Sequence, residues 1–448
     1  MTRLTKVVGL ALRGAARAIG LALLGWSLVG AVVPAEGAPP EPTPVPAPPP
    51  APPLVPAIAD PWLAHGLPAS ARDGLRRFCR DAVARADVAG GALLVAHRGE
   101  VVFREAFGLA DRTAKTPFEV GTPCRIASIS KAFVATLCAR LATRGALDLE
   151  APIDRWLPEF RDVRLEGGAP CPRVPRLREC LSHTAGFTAD EAPGGRPWQE
   201  RREGAWTLAE QVAAVAARGL ARAPGERFAY SGTGFDVAGR VVEVATKRDL
   251  VDAIAEELFR PLGLRDTTYV PTDAVVARIP VYHFLWESDG RLHADRTPHA
   301  FPAKGRYRSV GGGIVSTLDD VHGFLRLHRA RGVLDGASFV SPALWRELVT
   351  AHDPAKRYGL GWALESGPAE RCFPAKMRHS GSTGTAAWVD FDHDVVGVIL
   401  TQGHRVAGGK AAKPARTITP TEPEFPKALE ERVDAIVAGL APAPTPPK

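Results

Sequence analysis

Residues 91–107 run Gly-Ala-Leu-Leu-Val-Ala-His-Arg-Gly-Glu-Val-Val-Phe-Arg-Glu-Ala-Phe, and this stretch indicates how the chain begins its fold. The two outer parts, 91–96 and 101–107, are rich in apolar and β-branched residues. The short polar segment 97–100 between them contains a glycine. This pattern predicts two antiparallel strands joined by a tight hairpin.

A second stretch with the same pattern lies toward the other end of the chain. Apolar runs at 386–391 and 395–401 flank the sequence Asp-His-Asp. Most periodic stretches between the two hairpins predict helices, for example 130–141, where apolar residues recur at helical spacing. The sequence therefore predicts an α+β fold, in which both chain ends build one antiparallel sheet that is flanked by helices and carries a mostly helical insertion.

Ser128 and Lys131 are three residues apart at the start of the helix predicted over 130–141. Side chains at this spacing lie on one face of a helix. A serine hydroxyl needs a base beside it to become a nucleophile, and a lysine is such a base only when it is neutral. Because a Ser-x-x-Lys pattern also arises by chance, its context decides how it is interpreted.

Two further stretches supply candidate groups for a site. Tyr230 lies just before a helix predicted over 237–245. His379, Ser380 and Gly381 lead toward the strand predicted over 386–391. A glycine beside a strand lets a substrate approach the backbone, and the next main-chain N–H is suited to donate to an oxyanion.

Two other motifs have simpler interpretations. The segment Leu-Ser-His-Thr at 181–184 predicts a packed turn, in which His183 has a structural role. The run Gly311–Gly313 predicts a tight backbone crossing and not a phosphate-binding loop, because no Lys-Ser or Lys-Thr pair follows it.

The N-terminal part of the chain has the composition of an export signal and a spacer. Residues 1–35 combine four basic residues with an apolar run at 19–33, which predicts a signal peptide, or a signal anchor if the segment is not cleaved. Residues 36–61 follow, and 11 of the 18 residues in 39–56 are proline, so we expect a semi-rigid spacer. One folded domain is then expected over 62–441, and a disordered tail over 442–448.

The charge of the chain gives no reason to expect a nucleic-acid partner. The formal net charge is +7, but four of the basic residues lie in the predicted signal segment, which contains no acidic residue. The remainder is close to neutral and has no basic stripe with interleaved aromatic residues. A membrane is an expected partner only if the signal segment is uncleaved, and the oligomeric state stays open.

Disulfides between cysteines are expected to be possible, because the chain is predicted to be exported. Cys171 and Cys180 are nine residues apart in a proline-rich stretch, and a disulfide between them is the locally plausible pairing. Cys138 falls on an apolar helical face and is expected to be a buried thiol. No CxxC, HExxH or clustered Cys/His spacing occurs, so no metal site is expected.

Seven motifs in order resemble those of the serine β-lactamase-related, penicillin-binding-protein-like hydrolases, a family that holds class C β-lactamases, D-Ala-D-Ala carboxypeptidases and esterases. The resemblance covers roughly 69–441. The motifs are Arg-Ile-Ala-Ser-Ile-Ser-Lys at 125–131, Leu-Asp-Leu-Glu-Ala-Pro at 147–152, Leu-Ser-His-Thr-Ala-Gly-Phe at 181–187, Tyr-Ser-Gly at 230–232, Ser-Val-Gly-Gly-Gly-Ile-Val-Ser-Thr at 309–317, Tyr-Gly-Leu-Gly-Trp at 358–362 and His-Ser-Gly at 379–381.

The resemblance implies a β-lactamase/transpeptidase-like fold and a role for each matching residue. Ser128 would be the acylated nucleophile, Lys131 its activating partner, and Tyr230 the general acid and base. The main-chain N–H groups of Ser128 and Ser382 would form the oxyanion hole. The reaction would be acyl transfer to water, with no cofactor, on a small-molecule or peptide substrate.

The chain departs from the β-lactamase pattern at two of the positions expected to bind substrate. Gly232 stands where the family's Tyr-x-Asn motif has an amide, and His379 stands where its Lys-Thr-Gly motif has a fixed cation, while Gly381 keeps the glycine. These departures favour an esterase, amidase or peptidase over a β-lactamase. A D-Ala-D-Ala carboxypeptidase and a non-catalytic receptor for cell-wall peptides remain alternatives, whereas an α/β-hydrolase is disfavoured because no Gly-x-Ser-x-Gly motif occurs.

Overall fold

A computed structural model of the chain describes residues 60–188, 204–286, 291–295, 301–353, 356–366, 373–406 and 424–440. The predicted signal segment 1–35 and tail 442–448 lie outside the described residues, as do all but the last two residues of the predicted spacer 36–61. The limits of the domain expected over 62–441 therefore stay predictions. Within the described ranges, no helix is long and apolar enough to cross a membrane.

Most strands of the described structure come from the first and last parts of the chain, and most helices come from the part between them. The strands are β1 (Gly90–His97), β2 (Glu100–Asp111), β3 (Thr116–Pro117), β4 (Cys124–Arg125), β5 (Tyr282–Trp286), β6 (Arg291–Asp295), β7 (Val315–Ser316), β8 (Val333–Leu334), β9 (Ala337–Ser338), β10 (Ala363–Glu365), β11 (Lys376–Gly381), β12 (Thr385–Asp390), β13 (Val395–Thr401) and β14 (Gly403–Val406). The α-helices are α1 (Pro61–Ala64), α2 (Ala69–Ala84), α3 (Ser130–Thr143), α4 (Leu177–Leu181), α5 (Leu208–Arg218), α6 (Gly232–Thr246), α7 (Leu250–Ile254), α8 (Asp273–Val276), α9 (Leu318–Arg329), α10 (Pro342–Leu348) and α11 (Glu424–Val437).

The central sheet has seven strands in the order β10-β11-β12-β13-β1-β2-β3, and neighbouring strands are antiparallel. The first strand of the N-terminal hairpin pairs with the last strand of the C-terminal hairpin, with Gly91 opposite Thr401 and Val95 opposite Gly397. Both predicted hairpins are therefore confirmed, and so is the prediction that the two chain ends build one sheet.

Alternating side chains of this sheet enter two separate hydrophobic clusters. Leu93 and Val95 of β1 belong to a cluster with α1, α2 and α11 on one face. Ala92 and Leu94 belong to a larger cluster with α3, α4, α6 and α9 on the other face. Because successive residues of a strand point to opposite faces, the apolar run at 91–96 is buried on both sides. The sheet is thus the middle of three layers.

Helix α3 lies at the centre of the larger cluster. Eleven of its fourteen residues are buried, so the helix is enclosed on all sides and not amphipathic. Phe133 stacks on Phe324 of α9, with the ring centroids 3.7 Å apart. One turn of 3₁₀ helix over Ala127–Ile129 precedes α3 and carries Ser128. The core thereby fixes the start of the helix that holds the Ser-x-x-Lys motif.

The structure corrects two details of the predicted secondary structure. The helix expected over 237–245 already begins at Gly232, directly after Tyr230 and Ser231. His379 to Gly381 lead toward β12 as expected, but they are themselves the end of a strand, β11, which a turn joins to β12. The three-residue strand end was missed because its His-Ser-Gly sequence has little β propensity.

The predicted disulfide between Cys171 and Cys180 is wrong, since both residues are free thiols. Cys180 is fully buried in α4, and burial raises the pKa of its thiol well above the usual range. Cys171 is partly exposed, and its Sγ donates to the carbonyl oxygen of Arg173. The prediction that Cys138 is a buried thiol is confirmed.

Candidate active site

Ser128 and Lys131 meet as their spacing predicts. The Nζ atom of Lys131 lies 3.1 Å from the Oγ atom of Ser128, and it also donates to the carbonyl oxygen of Gly311 at 3.0 Å. Lys131 is buried, with 4% of its surface exposed, whereas Ser128 is only partly buried. A buried amine is therefore aimed at a hydroxyl that a substrate can reach, which is the arrangement of a nucleophile and its base.

The backbone just before Ser128 packs tightly against the end of strand β11. A Cβ atom on Gly381 would lie 2.5 Å from the carbonyl oxygen of Ile126 and 3.1 Å from the Cβ of Ala127, so only glycine fits there. The Thr385 hydroxyl donates to the same Ile126 carbonyl at 3.1 Å. Ala127 itself has φ +45°, a left-handed conformation that is strained for alanine. The sheet edge thus holds the nucleophile's turn in a fixed position.

Ser382 follows β11 directly and is exposed at this edge of the sheet. Its carbonyl oxygen accepts a hydrogen bond from the Tyr282 hydroxyl at 2.9 Å, which fixes the peptide from the outer side. The close approach of Gly381 to Ile126 brings the main chain of Ser382 near the turn that carries Ser128. The oxyanion hole formed by the N–H groups of Ser128 and Ser382 stays a prediction, with which this packing agrees.

Tyr230 is distant from Lys131 in sequence but lies beside it in the structure. The Nζ atom of Lys131 is 4.8 Å from the centroid of the Tyr230 ring. The ring is partly buried and immediately precedes α6, whose first residue, Gly232, is buried. The tyrosine is thus within reach of the nucleophile's base, while position 232 presents no side chain to a substrate.

His183 holds both neighbours of Tyr230. Its carbonyl oxygen accepts from the N–H of Ala229 at 2.8 Å, and its Nδ1 atom accepts from the N–H of Ser231 at 3.0 Å. Its ring lies 4.3 Å from that of Tyr230, measured between centroids. Burial lowers the pKa of His183 well below its usual range, and the charge of Lys131 lowers it further. A neutral imidazole therefore fixes the segment that carries Tyr230, in agreement with the predicted structural role.

His379 is held inside the protein at both ring nitrogens. Its Nδ1 atom donates to the carbonyl oxygen of Ser380 at 2.8 Å, so Nε2 accepts from the Tyr358 hydroxyl at 3.0 Å. The residue is 6% exposed, and burial followed by the charge of Lys131 lowers its pKa to about 3. Substrate binding by His379 stays a prediction, and these two bonds favour a structural role instead, in which the residue orients Tyr358.

Two functional groups escaped the sequence analysis. The Gly311 carbonyl contacts Lys131, and a Cβ at that position would lie 3.0 to 3.2 Å from the lysine side chain. The glycine run was correctly read as a close backbone crossing, but no sequence signal says which side chain it crosses. Tyr358 is buried between His183 and His379. Its motif was noticed only through the family resemblance, because a buried tyrosine has no distinctive local pattern.

No group of three or more His, Cys, Asp or Glu side chains in the described part of the chain is arranged to hold a metal ion. Lys131 contacts Ser128, the Tyr230 ring lies beside Lys131, and the imidazoles of His183 and His379 are neutral. This set supports proton transfer and nucleophilic attack by the protein's own groups.

Comparisons with known proteins agree with this geometry. A family model described as Beta-lactamase matches residues 75–418. Esterase EstB of Burkholderia gladioli is 33% identical over 320 residues, which cover 67% of this chain and 80% of that protein. Penicillin-binding protein 4 of Amycolatopsis lactamdurans is 31% identical over 289 residues, covering 62% of this chain and 71% of that protein.

The fold is also found among solved structures. EstCE1, described as a hydrolase with promiscuous acyltransferase activity, superimposes with a TM-score of 0.67 and covers 83% of this chain and 99% of its own. The two sequences are 23% identical, so this match shows a shared fold. This likeness confirms the α+β fold predicted from the sequence, whose sheet is built by both chain ends in the strand pairing described above.

Proposed function

Because the chain belongs to the beta-lactamase family and is a serine hydrolase of that superfamily, we propose that it cleaves esters or amides through an acyl-enzyme on Ser128. The observation that carries this proposal is the contact of 3.1 Å between Lys131 Nζ and Ser128 Oγ, in a place where the lysine is buried and the serine is accessible. We assign Lys131 as the base and Tyr230 as the group that passes the proton onward.

In the acylation step, the Ser128 hydroxyl proton moves to a neutral Lys131 amine while Oγ attacks the substrate carbonyl carbon. The negative charge that forms on the carbonyl oxygen is met by the N–H groups of Ser128 and Ser382. Each such donor is worth about 2.7–4 kcal/mol in enzymes where one has been removed. The bond from the carbonyl carbon to the leaving group then breaks, and an acyl-enzyme remains.

Tyr230 completes the proton transfers. It donates a proton to the departing alcohol or amine and regains one from Lys131, whose Nζ is 4.8 Å from the centre of its ring. In deacylation the same groups take a proton from water while its oxygen attacks the acyl carbon. The bond from that carbon to Ser128 Oγ then breaks, Oγ receives the proton, and the acid is released. The serine hydroxyl is regenerated, so that the cycle consumes one water and no cofactor.

We propose an uncharged acyl substrate as the preferred class. The residue at the position of the family's cation, His379, is neutral at physiological pH, buried, and bonded to Tyr358 and Ser380. Gly232 supplies no amide for a peptide side chain. A carboxylate-terminated peptide would therefore find neither partner, and the similarity to an esterase supports the same substrate class.

We also propose that the protein is exported. The basis is the order of a basic start, an apolar run and small residues in 1–35, followed by the proline-rich spacer. Expression of the full chain and N-terminal mass analysis of the protein outside the cytoplasm test this. A mature protein that begins near residue 36 or later would support cleavage, and retention of the full chain in the cytoplasm would contradict export.

The catalytic proposal is tested by assaying the full chain with p-nitrophenyl butyrate and, in parallel, with a peptide that ends in D-Ala-D-Ala. We expect ester hydrolysis that Ser128→Ala lowers by at least about 1,000-fold, since the nucleophile is lost. Ser338→Ala, on the exposed strand β9, is the matched control and should keep full activity. Faster turnover of the peptide would favour the carboxypeptidase alternative, and no turnover of either substrate would favour the non-catalytic one.

A further inference from the structure

The Gly311 carbonyl that contacts Lys131 belongs to a run of three glycines, Gly311–Gly313, which by itself has great conformational freedom. A catalytic amine needs its hydrogen-bond partners in fixed positions, since displacements of about 1 Å cost catalysis heavily. The run must therefore be anchored by residues around it. The described structure places the anchors on both sides of Val310, the residue just before the run.

Asp236 supplies the first anchor. Its carboxylate accepts from the N–H of Val310 at 3.1 Å with one oxygen and from the Tyr307 hydroxyl at 2.9 Å with the other. Asp236 has 0% of its surface exposed and lies on α6 between the apolar residues Phe235 and Val237. A carboxylate is costly to bury, so its presence among apolar residues calls for a function beyond packing.

Tyr269 supplies the second anchor. Its hydroxyl donates to the carbonyl oxygen of Val310, so both polar groups of that residue's backbone are bound by side chains. The Tyr269 ring also packs against Gly313, where a Cβ would lie 3.3 Å from the ring. The peptide that follows Val310 is thereby oriented, and the next carbonyl along the chain, that of Gly311, points at Lys131.

We propose that Asp236 is a positioning residue, which acts through Val310 to aim the Gly311 carbonyl at Lys131. Asp236 lies on the same helix that begins directly after Tyr230 and Ser231. One helix therefore sets the place of the proposed proton shuttle and, through the carboxylate, the partner of the proposed base. This inference rests on the proposed function, because it assigns Lys131 the role of the base.

Loss of the anchor has a signature that simple destabilisation lacks. A carbonyl oxygen that accepts a hydrogen bond from an ammonium group stabilises the charged form of the amine. Displacing that carbonyl therefore makes the neutral, reactive form of the amine more favourable. The ionisation that limits the rate then shifts to lower pH, while the maximal rate falls because the amine is no longer held in place. Among the described residues, the titratable groups shown near Lys131 on other elements are Tyr230, His183 and His379, and none of them is changed. The carboxylate of Asp236 is itself lost in Asp236→Leu and in Asp236→Asn alike, so the difference between these two variants reports the bond to Val310 and not the charge.

The test measures the rate of inactivation by a fluorophosphonate probe from about pH 5 to about pH 10, which requires no knowledge of the natural substrate. For Asp236→Leu, which removes both acceptors, we expect a maximal rate about tenfold lower and a rate-limiting ionisation at least about half a pH unit lower. Asp236→Asn keeps an acceptor for Val310 and should stay within about threefold of the unchanged protein.

Asp320→Leu is the matched control. Asp320 is also buried and also accepts from a main-chain N–H and a hydroxyl, those of Asp266 and Thr267, but it has no bond to the glycine run. It should lose stability without any shift of the pH profile. If Asp236→Leu does not fold, Tyr269→Phe takes its place as the test. This variant removes one hydroxyl and should shift the pH profile in the same direction.

The possible outcomes separate the two proposals. If the unchanged protein is not labelled on Ser128, the proposed function fails, and this inference fails with it. If it is labelled, but folded Asp236→Leu and Tyr269→Phe keep its rate and pH profile, only the positioning role is overturned. A lower rate with an unshifted profile, like that expected of Asp320→Leu, would also overturn it in favour of a structural role.

Discussion

Alternate side chains of strand β11 project to opposite faces of the central sheet and meet very different surroundings. On one face, Lys376 and Arg378 enter a network of ion pairs with Glu430 and Asp434 of α11. On the other face, His379 is uncharged and hydrogen-bonded to Tyr358, and Gly381 packs against the turn that carries Ser128. One strand thus separates cations that hold the domain together from neutral groups that shape the site.

The two faces differ in which side chains carry a positive charge. Burial works against the charge of Lys376, but Asp434 and Glu430 outweigh it and raise the pKa of that lysine. On the site face, burial and the charge of Lys131 keep His379 neutral instead. Lys376 therefore keeps its positive charge because carboxylates lie beside it, whereas His379 is uncharged because its burial and its position near Lys131 disfavour a second positive charge.

The largest effect is expected on the network face. Lys376→Met takes from Asp434 the cation that it contacts and leaves Glu430 with Arg378 alone, so we expect the free energy of unfolding to fall by about 3–5 kcal/mol. Urea denaturation measures this, and the activity of the folded fraction should be unchanged. Arg104→Met breaks the exposed pair with Asp319 and is the control, with an expected loss below about 1 kcal/mol. Equal losses for the two variants would contradict a special role of the buried network.

The next effect in size is expected at the site and concerns rate, not stability. Tyr230→Phe removes the proposed proton shuttle, so turnover should fall by about 100-fold, equivalent to about 2.7 kcal/mol of activation free energy. The midpoint of urea denaturation should stay the same, because the ring still packs on His183. Turnover that equals that of the unchanged protein would exclude Tyr230 from the chemistry.

The smallest effect concerns the acid side of the stability profile. The pKa of His379 falls from 6.5 to about 3 on folding, so between these values the unfolded chain binds more protons and stability decreases as the pH falls. His379→Gln removes this loss. We compare the free energy of unfolding of this variant with that of the unchanged protein at each pH. The difference should be about 2 kcal/mol more favourable to the variant at about pH 4.5 than at pH 7.

The control for this comparison is Ser338→Ala on the exposed strand β9, which changes no titratable group. Its stability relative to the unchanged protein should therefore be the same at both pH values. If His379→Gln behaved in the same way, His379 would carry a proton in the folded protein, and the contrast between the two faces of β11 would be lost.

The sequence was sufficient for the parts of this account that depend on local pattern. The two hairpins and helix α3 were predicted because apolar residues recur there with a clear period. The meeting of Ser128 with Lys131 follows from helical spacing alone. The end of β11 at His379 was not predicted as a strand, since its conformation is imposed by pairing with β12 and by the close contact of Gly381 with Ile126.

The partners of the catalytic groups required the structure. Gly311 is 180 residues from Lys131, and Asp236 is hydrogen-bonded to Val310, the residue just before Gly311. Such contacts depend on tertiary packing and leave no trace in spacing or composition. The expected disulfide between Cys171 and Cys180 was wrong for a similar reason, because sequence proximity did not show that Cys180 is buried in α4.

The central claim is that Ser128 is an activated nucleophile. The most direct test is intact-mass analysis of the folded chain after treatment with a fluorophosphonate probe, and in a parallel sample with a penicillin, with Ser128→Ala as the control. We predict one fluorophosphonate adduct on the unchanged protein and none on Ser128→Ala, with little or no penicillin adduct. An unlabelled but folded protein, or an adduct that persists in Ser128→Ala, would contradict the claim.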